Sequence, residues 1–190
     1  MKNMEWKLLS SEYLHKEPWL TLRRDRCVLA DGRIVDPYYV LEYPDWANAM
    51  AITEDNKVIL IRQYRHAIGK VLLEIPGGVL DATDATPEEG MKRELLEETG
   101  YAFSEIHNMG VVAPNPSTST NLTHMFLATG GKKVQEQQLD HNEEIEVLLV
   151  DIAEVEQLLR DHKFLQSLHV SCLFYGLQKY RELKAAPLPQ

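Results

Sequence analysis

Apolar residues along this chain repeat with two different periods. Over residues 20–29 they alternate with polar ones, and that period of two predicts a strand that turns at Ala30-Asp31-Gly32-Arg33, where Asp-Gly is a strong hairpin signal. Residues 38–42 predict the returning strand, which ends near Pro44. Residues 47–53 and 58–65, joined by Glu54-Asp55-Asn56-Lys57, form a second hairpin, apolar enough to predict central strands. A further strand-like run, Leu73-Glu74-Ile75, is stopped by Pro76, Gly77 and Gly78. The pattern then becomes helical, with Thr86 as N-cap, Pro87 at the first helical position, and Glu88 and Glu89 on the positive end of the dipole. Strands are predicted again at residues 106–112, 123–129 and 145–150. Asp151 caps a helix that runs to Leu159, and residues 165–183 form a last helix. The sum is an α/β chain, a mixed sheet between helices.

The central helix carries an unusual cluster. In Arg93-Glu94-Leu95-Leu96-Glu97-Glu98-Thr99-Gly100, the spacings i, i+3 and i+4 turn three carboxylates toward one patch, and Gly100 ends the helix. Like charges so placed repel by a few tenths of a kcal/mol per pair, roughly, so a plain surface helix gains nothing from them. A hard divalent cation reverses that sign. Mg²⁺ takes oxygen ligands and pairs one or two carboxylates with substrate phosphates, so the cluster points to phosphate chemistry. An isolated Glu-x-x-Glu-Glu is ordinarily a solvated acidic face. Here strand, glycine loop and acidic helix follow in order.

In that context the chain resembles the Nudix hydrolases, whose box is Gly, five residues, Glu, seven residues, then Arg-Glu-apolar-x-Glu-Glu-x-Gly. Gly78, Arg93, Glu94, Leu95, Glu97, Glu98, Gly100 and Tyr101 match it. One residue is inserted between Gly78 and Arg93, so the first box glutamate falls at Asp84 or Ala85: either Asp84 substitutes for it or the role is empty. The resemblance extends from about Trp19 to about Val150. It implies an α/β/α sandwich with a mixed sheet, plus a small N-terminal antiparallel sheet like that of ADP-ribose pyrophosphatase-type enzymes. Residues 1–45 are expected to form an extension for dimerisation and substrate stacking, and residues 46–190 the Nudix domain.

Composition agrees with one sizeable core, since the chain has 190 residues, 44% of them hydrophobic. The net charge of −9 and the lack of a basic stripe disfavour nucleic acid as a partner. No apolar run is long enough for a membrane span, and the first residues lack a signal peptide's apolar stretch, so a cytoplasmic location is expected. Cys27 and Cys172 have no metal spacing and read as buried free thiols.

The resemblance implies magnesium-dependent hydrolysis of the pyrophosphate bond of ADP-ribose or a related nucleoside diphosphate sugar, giving a nucleoside monophosphate and a sugar phosphate. Manganese is not separated from magnesium. Glu94, Glu98 and Glu97, with the Gly77 carbonyl, are the implied metal ligands, and Gly78, Arg93 and Gly100 frame the box. Water activation is expected from Asp140-His141-Asn142-Glu143-Glu144, with Glu143 first, Glu144 second and His141 third. Arg65 matches an arginine that grips the diphosphate, a task suited to a bidentate guanidinium. Pro116, sixteen residues after Gly100, marks the ADP-ribose branch, although Asn115-Pro116-Ser117 departs from that branch's usual Ser-Pro-Gly. Trp19, with Tyr38 or Tyr39, is expected to stack a nucleobase, or else to be hairpin core or edge. The resembled enzymes draw such aromatics from the hairpins of two subunits, which implies a homodimer. Two alternatives stand beside this reading: a pyrophosphatase for nucleoside triphosphates or other nucleotides, and a regulatory nucleotide-binding module with a degenerate box.

Overall fold

The computed structural model describes residues 3–185. Residues 1–2 and 186–190, the outer ends of the two expected segments, lie outside the described residues. The chain divides into two compact units, one of residues 1–44 and 113–122 and the other of residues 45–112 and 123–190.

In the first unit, β1 (Lys7–Glu17), β2 (Leu20–Val28) and β3 (Ile34–Glu42) form an antiparallel sheet in the order β1-β2-β3. The hairpin between β2 and β3 turns through Asp31-Gly32 as expected, with Gly32 at φ 89. β1 was not anticipated. Every one of its residues is exposed, so no buried face imposes a period of two on its sequence. Asp25 is buried under it, held by the Ser11 hydroxyl at 2.6 Å and by Arg23 at 3.0 Å. Residues 113–122 join this unit through a parallel bridge between Leu41 and Ser119.

The second unit is a mixed eight-stranded sheet between helices. Its main path is β11 (Ile145–Asp151), β5 (Lys57–Arg65), β4 (Trp46–Thr53), β10 (Thr123–Lys133), β8 (Tyr101–Ala102). Three further strands attach to it, β6 (Lys70–Glu74) to β5, β7 (Gly77–Val79) to β4 and β9 (Glu105–Val112) to β10. β4 and β10 run parallel, and the other strand pairs of this sheet among the described residues run antiparallel. One face of the sheet packs Met50, Ile52, Val58 and Leu60 against Cys172, Leu173 and Leu177 of α3 (Ser167–Ala185), and against Val155 of α2 (Ile152–Arg160). The other face packs Ala47, Ala49, Ala51 and Ile59 against Met91 and Leu95 of α1 (Pro87–Thr99). Neighbouring residues of β4 thus serve opposite cores, which is why its sequence is apolar without alternation. Each fully buried Leu, Ile or Met contributes on the order of 1.5–3 kcal/mol. This is the expected α/β/α sandwich.

Two local expectations are corrected. Asp151 precedes α2 but its side chain makes no capping hydrogen bond; it pairs instead with Lys57 Nζ at 2.7 Å. Strand β11 carries Asp151 beside Lys57 on β5, and the ammonium takes the carboxylate first. Cys172 is a buried free thiol, pushed up to about 12 by burial, whereas Cys27 is free but only half-buried. No helix among the described residues is long and apolar enough to cross a membrane.

Candidate active site

Helix α1 is delimited by its own ends. The Thr86 hydroxyl accepts the Glu89 N–H at 3.2 Å, Pro87 opens the first turn, and Gly100 at φ 77 closes the last by donating its N–H to the Leu96 carbonyl. Only a residue comfortable in the left-handed region fits that closure, and a Cβ there would strike the Gln135 carbonyl.

Within this frame the three box carboxylates have different surroundings. Arg93 Nη1 donates to Glu94 Oε1 at 2.8 Å and to Glu97 Oε2 at 2.9 Å, while Glu98 Oε2 accepts the Gly77 N–H at 2.9 Å. Helical spacing puts the three on one side, but the arginine draws two of them and a backbone amide draws the third. Among the described residues, no three His, Cys, Asp or Glu side chains are gathered into a ready metal cage. Glu97 is the most open of the three, and Glu98 is buried.

The electrostatics nevertheless suit a cation. Burial pushes the Glu94 carboxyl up to about 7 against the pull of Arg93, with the charges of Glu97 and Glu143 adding to the rise. Burial likewise raises Glu98 well above the ordinary carboxylate range; the Gly77 N–H opposes it, and Glu94 and Glu143 reinforce it. Hard oxygen donors that burial and mutual repulsion press toward neutrality fit a divalent metal ion, which relieves both terms. Close packing holds the floor of this cluster. A Cβ on Gly78 would land on the Glu94 carboxylate, and one on Gly77 would meet the Ala47 carbonyl and Asn48 on β4.

Glu143 is half-buried in its loop. Its Oε2 accepts the Asp140 N–H at 3.1 Å, its own N–H returns to the Asp140 carbonyl, and its charge reaches Glu94 and Glu98. Glu144 and His141 are exposed. The loop is tied to α1 by Gln137, whose Nε2 donates to the Glu98 carbonyl at 2.6 Å and to the Ile145 carbonyl at 3.1 Å. Gln137 carried no sequence signal, being one glutamine among polar neighbours.

Arg65 grips a carboxylate of its own protein, donating from Nε and Nη2 to Glu74, at 2.7 Å for the shortest contact. Glu74 is wholly buried, and sequence reading passed over it. The signal was a lone acid inside the apolar run Leu72-Leu73-Glu74-Ile75, since such a residue is hardly ever buried unless paired. Arg65 and Glu74 line a cavity of about 450 Å³ beside Gly77 and Gly78. The remaining expected substrate residues belong to the N-terminal unit. There Trp19 and Tyr39 are exposed, Tyr38 donates its hydroxyl to the Ser117 carbonyl at 2.5 Å with Trp6 edge-on to its ring, and Pro116 lies in the exposed loop beside Ser117.

Two family models match the chain. Residues 6–41 match the nucleoside diphosphate sugar hydrolase N-terminal domain and residues 44–169 match the NUDIX domain. An ADP-ribose pyrophosphatase of Bacillus subtilis is 26% identical over 98% of this chain and 97% of its own. A GDP-mannose pyrophosphatase of Yersinia enterocolitica is 28% identical over 88% of this chain and 93% of its own. The crystal structure of an ADP compounds hydrolase superposes with a TM-score of 0.84 at 20% identity, covering 97% of this chain and 99% of that one, which is agreement in fold.

Proposed function

The chain belongs to the Nudix family, and on that premise we propose that it hydrolyses the pyrophosphate bond of ADP-ribose or a related nucleoside diphosphate sugar. In that reaction a water oxygen bonds to one phosphorus as the bond from that phosphorus to the bridging oxygen breaks. The water gives up its proton, and nucleoside monophosphate and sugar phosphate depart. The observation that carries the reading is the buried, mutually repelling pair Glu94 and Glu98 beside Gly77 and Gly78.

Glu94, Glu98 and Glu97, with the Gly77 carbonyl, hold Mg²⁺ or Mn²⁺ in this proposal. Bound there, the ion neutralises charge on the diphosphate and acidifies the attacking water. Glu143 orients that water and receives its proton, with Glu144 the second choice. Its place near Glu94 and Glu98, through their shared electrostatics, supports the preference. Arg93 restrains Glu94 and Glu97, and Asp84 fixes Arg93 in turn. Arg65 positions the diphosphate while its Nε edge stays on Glu74. Trp19, Tyr38 and Tyr39 stack the base and Pro116 shapes the loop of the N-terminal unit; a homodimer in the cytoplasm completes the proposal.

The test is product analysis after incubation with ADP-ribose, GDP-mannose and a nucleoside triphosphate, with Mg²⁺ and with EDTA. Monophosphate and sugar phosphate are expected from one of the sugar nucleotides, in Mg²⁺ alone. Cleavage confined to the triphosphate would overturn the substrate class, and cleavage undiminished by EDTA would overturn the metal.

A further inference from the structure

The cavity beside Gly77 and Gly78 has apolar walls, among them Trp46, Ile68, Leu72 and Leu168, but a polar floor. Asn48 on β4 and Thr123 on β10 both line it, and both are buried, at 3% and 0% exposure. The parallel register sets Met125 beside Asn48 and Thr123 beside Trp46, so Asn48 and Thr123 share one face of the sheet, diagonally across neighbouring strands. Neither Asn48 Oδ1 nor Thr123 Oγ1 has a hydrogen-bond partner among the described residues. Buried acceptors left unmatched are costly, so such atoms are met by water or by a ligand.

A third polar side chain, His169, fixes the character of the floor. Its Nδ1 accepts the Ile75 N–H at 3.4 Å, and Gln166 lies 3.2 Å from its Nε2. Burial, helped by the nearby charge of Arg65, lowers its pKa to about 3, so the ring is neutral. The floor therefore offers an amide oxygen, a hydroxyl and a neutral imidazole, with the Arg65 guanidinium elsewhere in the lining of the same cavity. A phosphate, all acceptor, would face the Asn48 carbonyl oxygen unfavourably. A sugar hydroxyl suits it, because it donates to the amide oxygen and can either donate to or accept from the threonine.

We propose that Asn48 and Thr123 form a recognition subsite for the hydroxyl-bearing sugar on the far side of the scissile diphosphate. Asn48 Oδ1 accepts from one sugar hydroxyl, and Thr123 Oγ1 exchanges a hydrogen bond with the same or the adjoining one. The inference rests on the proposed sugar-nucleotide hydrolysis, with the diphosphate held near Arg65 and Gly77, which line the same cavity. A ligand lacking hydroxyls leaves both atoms without a hydrogen bond. The site thereby selects sugars without adding any charge.

The experiment compares kcat/KM for ADP-ribose and for the methyl ester of ADP, which shares the adenosine and the diphosphate but lacks the sugar. Wild type, Asn48→Leu, Thr123→Val and Thr123→Ser are measured side by side. The ratio of the two constants should fall by about tenfold in Asn48→Leu and in Thr123→Val, and Thr123→Ser should restore it. An unchanged ratio, or losses of equal factor on both substrates, would overturn the subsite; the second result would place the nucleoside or the diphosphate there instead. Should Asn48→Leu fail to fold, Thr123→Val decides alone. If the wild type cleaves neither compound, the hydrolase reading fails, and the ratio of their calorimetric affinities in the same variants judges the subsite separately.

Discussion

Arg93 takes both carboxylate oxygens of Asp84, Nε to Oδ1 at 3.1 Å and Nη2 to Oδ2 at 3.0 Å, across the loop that enters α1. Asp84 Oδ2 also accepts the Asp81 N–H at 2.8 Å, and Gly90 leaves room for it, since a Cβ there would press on the same oxygen. Held by Asp84, Arg93 reaches Glu94 and Glu97 from its Nη1.

Removing that clamp should loosen the loop. Asp84→Ala is expected to lower stability by about 2 kcal/mol, or Tm by about 5 °C, because a charge-assisted pair and a backbone N–H both lose their acceptor. Arg93 holds the Asp84 carboxyl below the usual range, so this stabilisation is present above the ordinary carboxylate pKa and fades as the pH falls through the lowered one. Thermal melts of both proteins from pH 7 down to pH 3 should converge; a constant gap would show that Asp84 acts through packing alone.

Glu98→Gln should separate stability from turnover. Glutamine can still accept the Gly77 N–H but carries no buried charge, so the metal-free variant is expected to melt at or above the wild-type temperature at pH 8. Turnover with Mg²⁺ should fall by about two orders of magnitude or more, as when a directly acting group is lost. Calorimetric melts and initial rates read the two effects, and retained turnover would remove Glu98 from the metal set.

The metal-free protein should be more stable in mild acid than in base. Glu94, at about 7, is raised above its unfolded value of 4.5, so the folded state binds more protons between those pH values and stability declines as pH rises through that window. Glu98 acts in the same direction. A cation requires both carboxylates charged, so Mg²⁺ should raise Tm far more at pH 8 than at pH 5.5. Scanning calorimetry in EDTA and in Mg²⁺ at the two pH values checks this, and Glu94→Gln should flatten the EDTA dependence.

Arg65 and Glu74 should prove coupled. Arg65→Ala leaves a wholly buried carboxylate without its partner, a loss of about 3–5 kcal/mol for a pair of this kind, so the variant should unfold easily. Adding Glu74→Gln is expected to recover most of that stability, since the uncompensated charge is gone. Denaturant unfolding of the two single variants and the double variant measures the coupling. Additive losses would mean that the pair does not hold the cavity wall.

By itself the amino-acid sequence determined the order of elements around the box. It placed the caps Thr86 and Gly100, the apolar strands β4 and β5, and the acidic run on α1, because short-range periodicity and capping chemistry decide these within a few residues. It missed β1, whose exposed residues answer to pairing with β2 and not to any core. Tertiary structure alone decided what each acid became. Glu74 was sealed against Arg65, Glu94 and Glu97 were drawn onto Arg93, Glu98 turned to the Gly77 amide, and Asn48 and Thr123 met on one cavity floor. Those outcomes depend on burial and on partners far apart in the chain. Charge and hydrogen bonding sense distance in space, which spacing along the backbone does not record.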